Sequence, residues 1–138
     1  MADSTGGCLC GAVRYRITRA LDKLIQCHCT HCQKTSGGGA SFNAAIPAES
    51  FELTQGTPKR YEDMADSGNI LWRFFCGECG SSLYSQRSTM PGVMVVKAGT
   101  LDDSNHLKVA MNIWTKSARP WMPFDPALDQ YAQNRPVK

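Results

Sequence analysis

Seven cysteines in 138 residues fall into three tight groups, and this grouping constrains the chain more than any other feature. The groups are Cys8-Leu9-Cys10, then Cys27-His28-Cys29 with Cys32, then Cys76-Gly77-Glu78-Cys79. Clustered spacing is poorly suited to a disulfide framework and well suited to metal ions, which take their sulfurs from short half-sites. Buried apolar cysteines would pack as small hydrophobes, but hydrophobic packing gives no reason for three such groups in one small chain. Zinc is the expected metal.

In an extended chain, residues i and i+2 share a side, so each Cys-x-Cys pair can present two sulfurs to one ion. Cys76-x-x-Cys79 followed by Gly80 is the other common half-site, a tight turn whose backbone N–H groups approach the thiolates. Pairing Cys8 and Cys10 with Cys76 and Cys79 gives a closed, structural four-sulfur site that spans about seventy residues of chain. Cys27, Cys29 and Cys32 then remain, one ligand short of four. An open position marks a catalytic site. Two other arrangements stay open on spacing alone: His31 closing the second site as Cys3His, and Cys29 or Cys32 pairing with Cys76 and Cys79. His28 is less suited as a ligand, because its side chain should point opposite to Cys27 and Cys29.

Three thiolates on one zinc leave a net negative charge, which makes the ion a weak Lewis acid for water. A soft sulfur is the natural fourth ligand, so a substrate thiol suits the open position, where it can be deprotonated and still attack an electrophile. His28 and His31 are the candidate proton donors beside it. Lys34, with Arg60 or Arg73, is a candidate to hold the carboxylates of a small thiol such as glutathione.

The rest of the chain frames these sites. With 42% hydrophobic residues and no linker-like tract, residues 1–138 read as a single domain with one core. Val13, Tyr15 and Ile17 alternate with polar residues. So do Phe42, Ala44 and Ile46, then Phe51 and Leu53, and then Val109, Met111 and Ile113. The run from Ile70 to Phe75 reads as a strand buried on both faces. Helical signal is confined to CTHCQK and the tail FDPALDQYAQ. The class is mainly antiparallel β in small sheets. The triple glycine at 37 to 39 lacks the GK[ST] ending of a phosphate cradle and reads as a turn. Trp72, Trp114, Trp121 and Phe124 read as core or pocket wall. A net charge of +3, dispersed along the chain, gives no nucleic-acid footprint. The absence of a signal or membrane-spanning pattern leads to an expected cytoplasmic location. A homodimer is left open.

Taken together, GGCLCGAVRY, CHCTHCQKTSG, FCGECGSSLY, GTLDD and IWTKSARPW resemble the glutathione-dependent formaldehyde-activating enzyme family, which includes centromere protein V-like members. The resemblance runs from about residue 6 to residue 125. It implies a β-tent fold of stacked small antiparallel sheets with zinc-binding cysteine knuckles. It also implies structural zinc at Cys8, Cys10, Cys76 and Cys79 and catalytic zinc at Cys27, Cys29 and Cys32. The implied activity is a carbon–sulfur lyase reaction that, in reverse, joins formaldehyde and glutathione into S-hydroxymethylglutathione. Two other functions are kept beside it. One is a zinc-stabilised binding or scaffold module, which would need a coherent surface patch. The other is a thiol redox switch at the three-cysteine group.

Overall fold

The computed structural model describes residues 3–65 and 68–134. Its strands are β1 (Ser4–Gly7), β2 (Arg14–Ile17), β3 (Lys23–Cys27), β4 (Ser41–Pro47), β5 (Phe51–Gln55) and β6 (Lys59–Met64), followed by β7 (Ile70–Phe75), β8 (Ser82–Arg87), β9 (Val93–Lys97), β10 (Lys108–Ile113) and β11 (Asp129–Gln130). One α-helix, α1 (Thr30–Ser36), lies among the described residues. A three-stranded sheet has the order β1-β2-β5, and a larger one runs β11-β10-β3-β4-β9-β8-β7-β6. The architecture is mainly β and mainly antiparallel, with one departure: β10 runs parallel to both β3 and β11. No described helix is long and apolar enough to cross a membrane.

The alternation of β2 explains the packing of one sheet on the other. Val13, Tyr15 and Ile17 project from the small sheet onto Ile46, Leu83, Tyr84 and Val96 of the large one, with Leu101 closing the cluster. Ile17, Leu83 and Val96 are fully enclosed, and burial of side chains of this size stabilises by roughly 1.5–3 kcal/mol each. Tyr15 keeps its hydroxyl satisfied on Thr100 Oγ1 at 2.7 Å. Gly6 has to be glycine here, since any Cβ would collide with that hydroxyl and with the Thr100 carbonyl. Cys8 and Cys76 belong to this same core cluster.

Three sequence expectations meet corrections. In β4, Ala44 and Ile46 are buried as the alternation requires, but Phe42 is 37% exposed and Asn43 is buried in its stead. The reason is polar: Asn43 Oδ1 accepts from Lys97 Nζ at 2.7 Å, and Asn43 Nδ2 donates to Ser41 Oγ at 3.0 Å. In β7, the most enclosed residue is Arg73, while the apolar residues around it are half-buried. Arg73 is drawn inward by Asp63 of the neighbouring strand β6, to which its Nε donates at 2.7 Å. The tail FDPALDQYAQ is not helical. It makes a turn after Asp125 and adds the two-residue β11 to β10, a pairing that local periodicity could not reveal.

Candidate metal centres

The first centre is built from two turns. Cys8-Leu9-Cys10 is not extended as expected. Its chain turns so that Gly11 N–H reaches the Cys8 carbonyl at 3.2 Å and Val13 N–H reaches Cys8 Sγ at 3.2 Å. Gly11 accepts the φ of +81° that this turn demands, and Leu9 is thrown out to 90% exposure. The second turn follows the expected form: Glu78 N–H approaches Cys76 Sγ at 3.4 Å, Gly80 N–H bonds the Cys76 carbonyl at 2.8 Å, and Gly80 also has φ of +81°. Leu9 N–H to Ser81 Oγ, at 3.1 Å, ties the turns together.

These turns bring four sulfurs, of Cys8, Cys10, Cys76 and Cys79, within 4.8 Å of one another, a group that could hold a metal ion. A tetrahedron with metal–sulfur bonds of about 2.3 Å has edges of about 3.8 Å. Cys8 and Cys10 sulfurs lie 3.6 Å apart, and Cys10 and Cys76 sulfurs 3.8 Å apart. Cys79 is pulled down to about 5, first by the Ser81 hydroxyl, while Cys10 is pushed up to about 12, the help of the Ala12 amide being outweighed by desolvation and the three neighbouring sulfurs. So crowded a set of sulfurs can ionise together only around a cation.

The second centre is local. Cys27 ends β3, where it pairs with Ser41 of β4 and Ile113 of β10. Cys29 caps α1 in extended backbone, and its sulfur accepts from Cys32 N–H at 3.2 Å. The three sulfurs of Cys27, Cys29 and Cys32 form a second group within 4.8 Å, and no histidine nitrogen belongs to it. Cys32 is held far below the usual thiol range, first by Cys27 and Cys29 and then by Ser41 and the charge of Lys97. Cys27 is pushed up by its own two sulfur neighbours.

The two histidines beside these cysteines have different environments. His28 is fully buried, with Nε2 2.8 Å from Asn112 Oδ1 and its ring 4.7 Å from that of Phe124. It is packed beneath the loop, so the structure does not support its expected part in proton transfer. Its carbonyl accepts from Gln33 Nε2 at 2.8 Å; the same nitrogen donates to the Ser117 carbonyl, and Arg119 Nε donates to Gln33 Oε1. The late IWTKSARPW segment therefore braces the cysteine loop from below. The glycine run is the end of α1: Gly37 caps the helix at φ of +73°, and Gly39 lies against Met122 and Trp121, leaving no room for a Cβ. Trp121 itself is 67% exposed, so it is not core.

His31 remains on the open side, its side chain 43% exposed, with Nδ1 2.8 Å from Asp63 Oδ1. Burial works against the Asp63 carboxylate, but the His31 and Arg73 hydrogen bonds overcome it and hold the group below its ordinary value. Next to this network lies a cavity of about 330 Å³, lined by Thr35, Arg60, Arg73, Tyr84 and Lys97 among others, with no acidic residue among the described residues of its wall. Burial lowers the Lys97 amine, while the Cys32 thiolate works to restore its charge. Lys34 is exposed on α1 and does not line this cavity. Asp63, Lys97, Gln33 and Asn112 escaped sequence reasoning. Only strand pairing brings Asp63 and Lys97 to the site, and the one local signal was Arg73 interrupting the apolar run ILWRFF.

Comparison with known proteins finds relatives of this chain in sequence and in fold. A Halomonas elongata protein provisionally named as a glutathione-dependent formaldehyde-activating enzyme is 29% identical over 104 residues, which is 70% of this chain and 64% of that protein. The chain thus matches less than two-thirds of the length of that relative. A crystal structure of a Rhodobacter sphaeroides protein, 18% identical, superposes with a TM-score of 0.60 over 92% of this chain and 98% of that one, which shows a shared fold. Residues 3–117 match the family described as glutathione-dependent formaldehyde-activating enzyme, and with that span, which takes in all seven cysteines, the chain belongs to this family.

Proposed function

We propose that this protein is a zinc-dependent carbon–sulfur lyase that adds a small anionic thiol to an aldehyde and reverses that addition, with formaldehyde and glutathione as the pair that the family name suggests. One observation carries the reading: two sulfur groups of unequal size, four and three, the smaller within electrostatic reach of Arg73 and Lys97, which with Arg60 also wall a cavity. The all-sulfur donor sets suit zinc. When bound at the three-cysteine group, zinc supplies a position for a fourth, soft ligand and favours the thiolate form of a thiol placed there.

The chain's own groups account for the rest. Arg60, Arg73 and Lys97 attract and orient the carboxylates of the thiol, since charge-assisted hydrogen bonds in a partly desolvated cavity are stronger than neutral ones. His31, with Nδ1 held by Asp63, takes the thiol proton on Nε2. As the sulfur–carbon bond forms, the carbonyl π pair moves to oxygen, and the same proton is returned there, so the addition is balanced without redox change. Held orientation of the two reactants lowers the entropic part of the barrier. The test is turnover of formaldehyde with a panel of thiols that do and do not carry carboxylates, at matched zinc content. Saturable addition preferring carboxylated thiols supports the reading. Equal rates with neutral thiols, or none above the uncatalysed reaction, overturn it.

A further inference from the structure

β6 is an exposed edge strand in which Asp63 alone is buried. A carboxylate enclosed in that setting costs free energy unless donors compensate, and here two do: His31 Nδ1 reaches its Oδ1 and Oδ2 at 2.8 and 2.9 Å, and Arg73 Nε reaches Oδ2 at 2.7 Å. An ionised carboxylate only accepts hydrogen bonds, and the guanidinium Nε–H only donates. Both oxygens of the ionised carboxylate therefore act as acceptors, Oδ2 from Arg73 as well, and the proton between His31 and Asp63 must reside on Nδ1. Whenever the ring is neutral, its lone pair is then on Nε2.

We infer that Asp63, anchored by Arg73, is a positioning residue that fixes the tautomer and ring orientation of His31 so that Nε2 is the nitrogen able to receive a proton. This consequence for turnover rests on the thiol-addition reading above, but the tautomer itself follows from the hydrogen-bond geometry alone. Arg73 adds a second link, because it lines the cavity as well as gripping Asp63. Asp63 thereby joins α1, β6 and β7 in one hydrogen-bonded unit, holding His31 and a cavity cation in register.

The substitution Asp63→Asn separates placement from chemistry. Arg73 Nε–H claims the amide oxygen, so the amide nitrogen turns to His31 Nδ1, which must then accept, and the ring proton moves to Nε2. The chain has three histidines, so long-range 1H–15N spectra of the zinc-loaded protein above neutral pH resolve His31 without crowding. The expected wild-type signature is Nδ1–H with a bare Nε2. Asp63→Asn should invert it and lower kcat by about 10²–10⁴-fold, leaving KM and zinc content unchanged. Asp63→Glu, which keeps two acceptor oxygens, should retain the wild-type signature. A wild-type His31 protonated on Nε2 would overturn the inference, and this needs no variant to fold. An unchanged tautomer in Asp63→Asn, or an inverted tautomer with unchanged kcat, would also overturn it. If the wild-type protein turns over no thiol, the proposed activity fails, whereas the tautomer pattern still decides what Asp63 does.

Discussion

The two cysteine groups both begin with Cys-x-Cys, yet they are built on opposite principles. Cys10 and Cys76 are 66 residues apart in the chain, and the site they share is assembled from two turns that extend the main hydrophobic core through Cys8 and Cys76. Cys27, Cys29 and Cys32 all lie within six residues, at the junction of β3 and α1. Closing a long loop constrains the unfolded chain and adds stability, while a local cluster closes almost none. What surrounds the local cluster is polar and charged instead: Ser41, Lys97, Arg73, and the His31–Asp63 pair. On the proposed function this difference is a division of labour, in which the distant pair of turns would hold the fold and the local trio would hold the chemistry.

Removing one ligand from each group should test that division with the largest effect. Cys8→Ala or Cys79→Ala should yield unfolded or insoluble protein, since the apparent contribution of structural zinc, about 10–16 kcal/mol, rivals the whole stability of a domain, about 5–15 kcal/mol. Cys29→Ala or Cys32→Ala should melt within a few degrees of the wild type by circular dichroism and lose thiol-dependent turnover. Equal loss of stability from both groups would make both sites structural.

Metal removal sharpens the same contrast without mutation. Graded chelation should release one equivalent of zinc while far-ultraviolet circular dichroism stays native, and unfolding should accompany only the second. Simultaneous release of both would erase the distinction.

The histidines come next in size. His31→Ala should keep two zinc ions and lose about 10²–10⁴-fold in kcat. His28→Ala should also keep two zinc ions but lose stability instead of turnover, about 1–3 kcal/mol by urea titration, because the buried Asn112 Oδ1 loses its partner. Zinc loss from His31→Ala alone would make His31 a ligand and close the second site.

The smallest effect belongs to the surface near the first centre. Arg14 Nη1 donates to Asp102 Oδ1 at 3.0 Å, and Arg14 and Thr5 hold Asp102 down to about 2. Both side chains are more than a third exposed, so solvent screening limits the pair to under about 1 kcal/mol. The depressed carboxylate contributes fully above its unfolded value of about 3.9 and loses that contribution as pH falls toward 2. Asp102→Asn should remove that increment at pH 7, as judged by urea titration, and leave the zinc content unchanged.

Much of this contrast was legible in the cysteine spacing, because a half-site is a local object and its geometry follows from a few adjacent residues. The strands β2, β4 and β10 were legible for the same reason, through period-two alternation. Residues that act across strands were not legible. Asp63 reaches His31 only after β6 has paired with β7, and Lys97 reaches the cysteine loop only after β9 has paired with β4. Phe42 misled because Asn43 has hydrogen-bond partners that no hydrophobic pattern encodes. Cys8-Leu9-Cys10 misled in form though not in outcome: a turn brought together the sulfurs that an extended segment was expected to align.

The central claim, a closed four-sulfur site beside an open three-sulfur site, is tested most directly by zinc X-ray absorption on the wild-type protein with and without a saturating thiol. Without thiol, averaging the two sites predicts about 3.5 sulfurs per zinc at about 2.3 Å and about half a lighter ligand near 2.0 Å. Adding the thiol should raise the sulfur count to about 4 and eliminate the lighter shell. A nitrogen shell with imidazole scattering that persists when thiol is added would contradict the account, because it would place a histidine on the metal and leave no position open.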